Sequence, residues 1–426
     1  MAQPGMLGEL FRDEGILQPI VFRKFHAPST SMNIKQNWEC ISWSIEEWSK
    51  HFSDEPLKVR MGLRTSASSG PQWESRCVTS FLTFEELSKW DEVITHRKAT
   101  NGETITSLSH WAYFDYVHLK EQKKLEFLKE CISWEKFGYK GRGADESTVW
   151  IGTKGAHTPC HIDTYGCNLV TQVLGAKKWT LFPPQQSECL YPTRIPYEES
   201  SIYSQIDFKN VDINRFPKIQ NSTPFVVTLN PGDVLFVPKH WWHFVETEQF
   251  SISVNSWIEL PSDTKDQLKE ALVLQQIGSV CQAVSSADKL TKILNPNMLY
   301  IVTLTSEELF AIVSQRIAAL KNKHHSSTGF DHTMEPSETS GSKPDLSLSL
   351  PYTVLKSIPF QDFLLTSQLR GSLDGGNLAS HHPPSTPEES ETVEELLIRS
   401  LSDQRVIDVA TDVLMENLRT LHNRVL

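Results

Sequence analysis

The stretch His157 to Gly166, HTPCHIDTYG, gathers two histidines, a cysteine and an aspartate within its first seven residues. In a β-strand the side chains at i and i+2 share a face, so His161 and Asp163 would point together while Cys160 and Ile162 point away. One imidazole and one carboxylate supply two donors for a metal, and a third must come from elsewhere. The candidates lie in PGDVLFVPKHWWHFVE, where His240 and His243 follow a strand-like run and a proline. Two imidazoles and one carboxylate on one face of an octahedral ion leave three positions open, the arrangement of non-haem Fe(II) oxygenases. A structural zinc site would be closed by a fourth protein ligand, with thiolates favoured. Strand alternation turns Cys160 away from that role. An HxD triplet alone recurs by chance in many chains. Here its weight comes from order: Thr-Pro before it, Asn168 and a Gly-x-Lys after it, a Pro-Gly-Asp turn, then the distal histidine behind two tryptophans.

Positioning such a set requires strands. Between Trp150 and Leu260 short runs rich in Val, Ile, Thr and Trp recur between Gly and Pro turns: TVWIGT, NLVTQVLG, KKWTLFPP, FVVTLNPG, DVLFVP and FSISVNSWIEL. Several such strands at regular spacing predict an all-β sandwich or barrel, with NPGD as a hairpin turn. Upstream, QPIVFRKF and PLKVRMG read as strands. SIEEWSKHF and TFEELSKWDEVITHRK read as amphipathic helices, the first capped by Ser44 and Glu47. From Asp263 to Lys323 apolar residues recur at three and four residue intervals, and Thr305 with Glu308 forms another capping box. Residues 324–391 are rich in Ser, Pro, His and Gly, the composition of a disordered linker, apart from LPYTVLKSIPFQDFLL. A final amphipathic helix is predicted from Glu394 to Val425, with an apolar stripe through Val406, Val409, Val413 and Leu414 that reads as a docking or packing face. The resulting division is an N-terminal tail (1–17), a β domain (18–262), a helical segment (263–323), a linker (324–391) and a C-terminal helix (392–426).

With 41 Lys and Arg against 52 Asp and Glu, the 426-residue chain carries a net charge of −11, which weighs against general affinity for nucleic acid. No apolar run is long enough to cross a bilayer, and the first residues lack the pattern of a secretory signal. The seven cysteines are scattered and never spaced as CxxC, which suits a reduced compartment. The expected location is cytoplasmic, with the nucleus as a second site.

The ordered motifs TPCHIDTYGCNLVTQVLGAKKWTLFPP, CLYP, PGDVLFVPKHWWHFVE and SVNSW resemble the JmjC family of Fe(II) and 2-oxoglutarate dependent oxygenases, in its small-hydroxylase branch. The resemblance spans roughly residues 18 to 260. It implies a mainly β fold with flanking helices: a double-stranded β-helix, the cupin-like jelly roll. It also implies iron ligands at His161, Asp163 and His243, the last placed directly after the paired tryptophans. Lys177, Thr158 and Tyr113 would meet the distal carboxylate of 2-oxoglutarate, a buried anion that needs a cationic, hydrogen-bonding partner. Asn168 and Asn255 match polar side chains near metal and co-substrate, and Trp257 a wall of the substrate pocket. One departure stands out: four residues, TYGC, separate Asp163 from Asn168, one more than the asparaginyl-hydroxylase pattern. A β-bulge is expected to absorb the extra glycine.

The implied activity is hydroxylation of a protein side chain. RNA modification and histone demethylation are further activities of the family. The branch member that the chain resembles most is associated with a small heat-shock protein, which implies such a partner and a role in stress responses, and leaves a non-catalytic interaction protein as the competing reading. A homodimer is implied by family analogy alone.

Overall fold

The computed structural model describes residues 16–26, 38–52, 54–65, 70–327, 352–366 and 391–425. The expected tail before residue 16 and most of the expected linker lie outside the described residues. The chain divides into two compact units, one from 1–192, 204–260 and 346–374, the other from 193–203, 261–345 and 375–426.

The first unit is a β-sandwich. Its strands are β1 (Ile20–Phe22), β2 (Leu57–Leu63), β3 (Val78–Leu82), β4 (His110–His118), β5 (Thr148–Gly152), β6 (His157–Asp163), β7 (Cys167–Leu174), β8 (Lys177–Phe182), β9 (Phe225–Leu229), β10 (Val234–Val237), β11 (Trp242–Thr247), β12 (Ser251–Ile258) and β13 (Tyr352–Val354). The larger sheet runs β13-β1-β10-β7-β12-β5-β4-β2-β3, and β6-β11-β8-β9 form the second sheet within this unit. Every pairing in both runs is antiparallel. This is the mainly β, cupin-like architecture expected from the sequence.

Strands β7 and β12 are buried along almost their whole length rather than at alternate residues. The reason is that both faces of the larger sheet are covered. On one face Val170, Leu235 and Val237 pack against Trp179, Leu181, Val227 and Val245 of the second sheet. On the other, Leu169, Val173 and Val254 join Trp48, Phe84 and Trp134 from the N-terminal elements. Burial of each such large side chain contributes about 1.5–3 kcal/mol, so those N-terminal elements belong to the fold itself. Helix α1 (Ile45–His51) begins with the expected Ser44–Glu47 capping box.

Three local expectations change. The helix expected through TFEELSKWDEVITHRK is only α2, Phe84–Ser88, and His96–Lys98 is a strand. Tertiary contacts override the helical pattern: the Trp90 indole donates to the His110 carbonyl at 2.8 Å, and Asp91 accepts from Arg64 at 2.5 Å and from the Lys154 amide at 2.7 Å. The Pro231-Gly232 turn makes no hairpin, because β9 and β10 lie in different sheets. Finally, the apolar exception within the expected linker is structured: β13 pairs with β1, residues 360–366 are helical, and Phe360 and Phe363 are buried.

The second unit is helical. Helices α3 (Asp263–Ala283) and α5 (Ser306–Ser327) flank α4 (Ala287–Ile293), and Gly278 of α3 allows close approach to Leu309 of α5, whose Cδ1 would sit 2.7 Å from an added Cβ. The single C-terminal helix expected from Glu394 is instead α6 (Val393–Leu401) and α7 (Gln404–Val425). The break follows from Ser402 and Asp403: the serine hydroxyl turns back to the Ile398 carbonyl at 2.6 Å, and Asp403 accepts from the Arg405 amide at 2.9 Å. Among the described residues, no helix is long and apolar enough to cross a membrane.

Candidate metal and co-substrate site

His161 and Asp163 lie two residues apart on β6, and His243 lies on β11 directly opposite His161 in register. Their side chains converge: one ligand atom from each of the three falls within 4.8 Å of the other two, and the imidazole centroids are 4.2 Å apart. Nδ1 of His161 is 2.9 Å from the Pro159 carbonyl and Nδ1 of His243 is 3.0 Å from the Trp241 carbonyl. A carbonyl can only accept, so both rings carry their proton on Nδ1 and present the lone pair of Nε2. Burial and the neighbouring His243 hold the His161 imidazole well below its usual pKa, which keeps the ring neutral. Trp179 stacks on His243 with centroids 5.7 Å apart.

The carboxylate is oriented from the other sheet. Trp257 Nε1 donates to Asp163 Oδ2 at 3.0 Å, while Oδ1 lies 3.8 Å from His161 Nε2. His240 is placed elsewhere: it occupies a turn with φ of 64°, and its Nε2 is 2.7 Å from the Thr164 carbonyl. Trp241 and Trp242 are core residues whose indoles donate to the Leu17 carbonyl and to Ser187 Oγ. Cys160 is buried, and burial pushes its thiol pKa up.

The extra residue between Asp163 and Asn168 needs no bulge. It belongs to the turn that carries the chain from β6 in one sheet to β7 in the other, with Gly166 at φ of 76°. Asn168 therefore lands on β7, opposite Trp257 and Val237. Its Oδ1 accepts from Asn255 Nδ2 at 2.9 Å, and Asn255 Oδ1 accepts from Trp150 Nε1 at 2.8 Å.

Lys177 starts β8 and is 1% exposed. Its ammonium donates to Ser253 Oγ at 2.8 Å and to Tyr113 Oη at 3.1 Å, and the Tyr113 ring lies 5.0 Å from Nζ. Burial holds the Tyr113 phenol well above its usual pKa, and Thr158 lies close enough to oppose that shift. Burial lowers the Lys177 pKa to about 7. Among the described residues no carboxylate forms an ion pair with this lysine, and Thr247, opposite it in register, carries a buried hydroxyl without a hydrogen-bond partner. A buried cation ringed by hydroxyls, one of them unsatisfied, is a receptor for a carboxylate.

The structure thus brings together His161, Asp163 and His243, and separately Lys177, Tyr113 and Thr158. Asn168, Asn255 and Trp257 cross from the larger sheet. Sequence reasoning missed Ser253, Trp150, Trp179 and Thr247. Ser253 was within reach, because Ser253, Asn255 and Trp257 alternate along β12 and so share the face turned to the site.

A family model described as "Cupin-like domain" matches residues 18–264, more than half of the chain. HSPB1-associated protein 1 of Rattus norvegicus is 43% identical over 255 residues, covering 59% of this chain and 53% of the rat protein. HSPB1-associated protein 1 homolog of Danio rerio is 38% identical over 279 residues, covering 63% of this chain and 60% of its own length. A more distant relative, Lysine-specific demethylase 8 of Xenopus tropicalis, is 27% identical over 259 residues, covering 58% and 50%. The matches thus span little more than half the length of these relatives.

Proposed function

The chain belongs to the family of cupin-like domains of the JmjC type, and from that premise we propose that it is an Fe(II) and 2-oxoglutarate dependent oxygenase acting on a protein side chain in the cytoplasm. The observation that carries this reading is the convergence of two Nε2 lone pairs and one carboxylate, from adjacent strands, within 4.8 Å of one another. The donor set fits a divalent first-row metal with open coordination positions: it contains no thiolate, and three protein donors leave room for a bidentate co-substrate. Bound Fe(II) with 2-oxoglutarate would supply oxidative decarboxylation of the co-substrate, coupled to insertion of an oxygen atom into a substrate C–H bond.

The chain's own residues prepare that chemistry. Hydrogen bonds from Nδ1 to backbone carbonyls fix the tautomer and plane of His161 and His243. Trp257 restrains Asp163 so that one carboxylate oxygen stays available. Lys177, Tyr113, Ser253 and the nearby Thr158 form a polar cluster that suits the distal carboxylate of 2-oxoglutarate, and the Asn168–Asn255–Trp150 chain fixes the amides on the larger sheet. Anaerobic calorimetric titration tests the reading: 2-oxoglutarate should bind in the presence of Fe(II), and His161→Ala/Asp163→Ala should abolish metal-dependent binding. Equal metal-dependent binding by both proteins would refute it.

We also infer a small heat-shock protein as partner, docking on the helical unit. Two observations support this: relatives carry the name HSPB1-associated protein 1, and Val393, Leu396, Leu397, Val409 and Val413 are exposed on α6 and α7. Loss of binding to a purified small heat-shock protein on truncation after Glu391, which removes α6 and α7 and keeps β13, with 2-oxoglutarate binding retained, is the expected result. Retained partner binding would move the interaction elsewhere, and a stable homodimer in light scattering would make a second copy the occupant of that stripe.

A further inference from the structure

Two residues of β4, Asp115 and Tyr116, stand opposite the single residue Trp150 of β5, because the pairing of these strands steps from Phe114 with Ile151 to Val117 with Val149. This two-against-one arrangement is a β-bulge, which bends the strand and re-aims a side chain. Its second residue, Tyr116, has φ of 53°, the left-handed region that a bulky side chain adopts only at a cost in backbone strain. The bulge separates the two side chains. Asp115 pairs with Arg60 at 2.6 Å, whereas the Tyr116 ring lies 4.9 Å from that of Trp150.

Trp150 in turn meets both halves of the site. Its ring lies 6.0 Å from Tyr113, which accepts from Lys177, and 6.4 Å from Trp257, which donates to Asp163. Its N–H holds Asn255 Oδ1 at 2.8 Å, and Asn255 holds Asn168. Trp150 is only half-buried. An indole so placed is less restrained than one in the core, and a ring laid against it restricts its rotation. Given the oxygenase reading above, we propose that Tyr116 is a positioning residue of the co-substrate site: the bulge holds its ring against Trp150, and Trp150 so held keeps Asn255, Asn168, Tyr113 and Trp257 in the geometry that binds 2-oxoglutarate. The backbone strain at residue 116 is then part of the site rather than an accident of strand pairing.

The test compares Tyr116→Ala, Tyr116→Gly and Tyr116→Phe with the wild type in two measurements: thermal unfolding without ligand, and anaerobic calorimetric titration of 2-oxoglutarate in the presence of Fe(II). Ala and Gly both delete the ring, but only Gly relieves the backbone, so the Gly variant should have the higher Tm of the two, the reverse of their usual order within a strand. Affinity should not follow that order. Both variants should bind 2-oxoglutarate about 10-fold to 100-fold more weakly, while Tyr116→Phe, which keeps the ring, should bind as the wild type does. If the Ala variant fails to fold, affinity lost in Gly and kept in Phe carries the same contrast. A Gly variant less stable than Ala, affinity that recovers from Ala to Gly in step with Tm, or wild-type affinity in all three would overturn the proposal and leave the oxygenase reading standing. A wild type that binds no 2-oxoglutarate would overturn both.

Discussion

Each of the two units buries a cation, and they do so in opposite ways. In the helical unit Arg194 forms a bidentate pair with Glu270, both bonds 2.8 Å, and both side chains are at most 5% exposed. In the sandwich, Lys177 is buried to the same degree but meets only hydroxyls, and its pKa falls to about 7. The guanidinium fork matches a carboxylate supplied by the chain and raises the Arg194 pKa despite burial. The lysine bears a desolvation cost that Asp115, acting from a distance, offsets only in part, and among the described residues no carboxylate is ion-paired with it. A closed pair serves the fold, whereas an open one points to an anion that arrives from outside.

Breaking the closed pair should have the largest effect. Glu270→Gln leaves the guanidinium buried without a counter-charge, which costs about 3–5 kcal/mol; thermal unfolding should show a large fall in Tm, and Arg194→Met/Glu270→Leu should recover part of it. Lys177→Met should do the reverse. Its effect on unliganded stability should be smaller than that of Glu270→Gln, while calorimetry shows 2-oxoglutarate affinity weakened by about 2–5 kcal/mol.

The pH dependence of affinity sharpens the comparison. Lys177 is charged below pH 7 and neutral above it in the unliganded fold, whereas binding a carboxylate favours the charged form. Affinity for 2-oxoglutarate should therefore fall as pH rises above 7, by at most about tenfold per pH unit, and the fall should vanish in Lys177→Met. The same depressed pKa has a consequence for folding. Between pH 7 and the ordinary lysine range the unfolded chain binds more protons, so the destabilisation from burying Lys177 is full below pH 7 and fades as pH rises. The smallest expected effect is that of Ser253→Ala, which removes one hydrogen bond to Lys177 and should weaken 2-oxoglutarate binding by about 0.5–1.5 kcal/mol.

Much of this arrangement can be read from the sequence because strand periodicity is local. The HxD alternation places His161 beside Asp163, and the six strand-like runs between Trp150 and Leu260 all form strands. What cannot be read locally is which sheet each strand joins. That decision turned the Pro231-Gly232 hairpin into a sheet-to-sheet step and the expected bulge after Asp163 into a turn. Long-range contacts had the same effect on helices: Trp90 and Asp91 stop a segment whose apolar spacing favours continuation. Trp150 and Thr247 enter the site through strand pairing alone, and nothing in their immediate neighbourhood marks them. Val406, Val409 and Val413 do form an exposed stripe on α7, while Leu414 turns inward against Leu268 and Leu320.

The most direct test of the central claim is turnover. Succinate formation from 2-oxoglutarate with Fe(II) would be followed with and without a lysate of cytoplasmic proteins, for the wild type and for His161→Ala/Asp163→Ala. The account predicts succinate in the wild type, increased by lysate, and none above background in the variant. No succinate from the wild type under either condition, or equal succinate from both proteins, would contradict it.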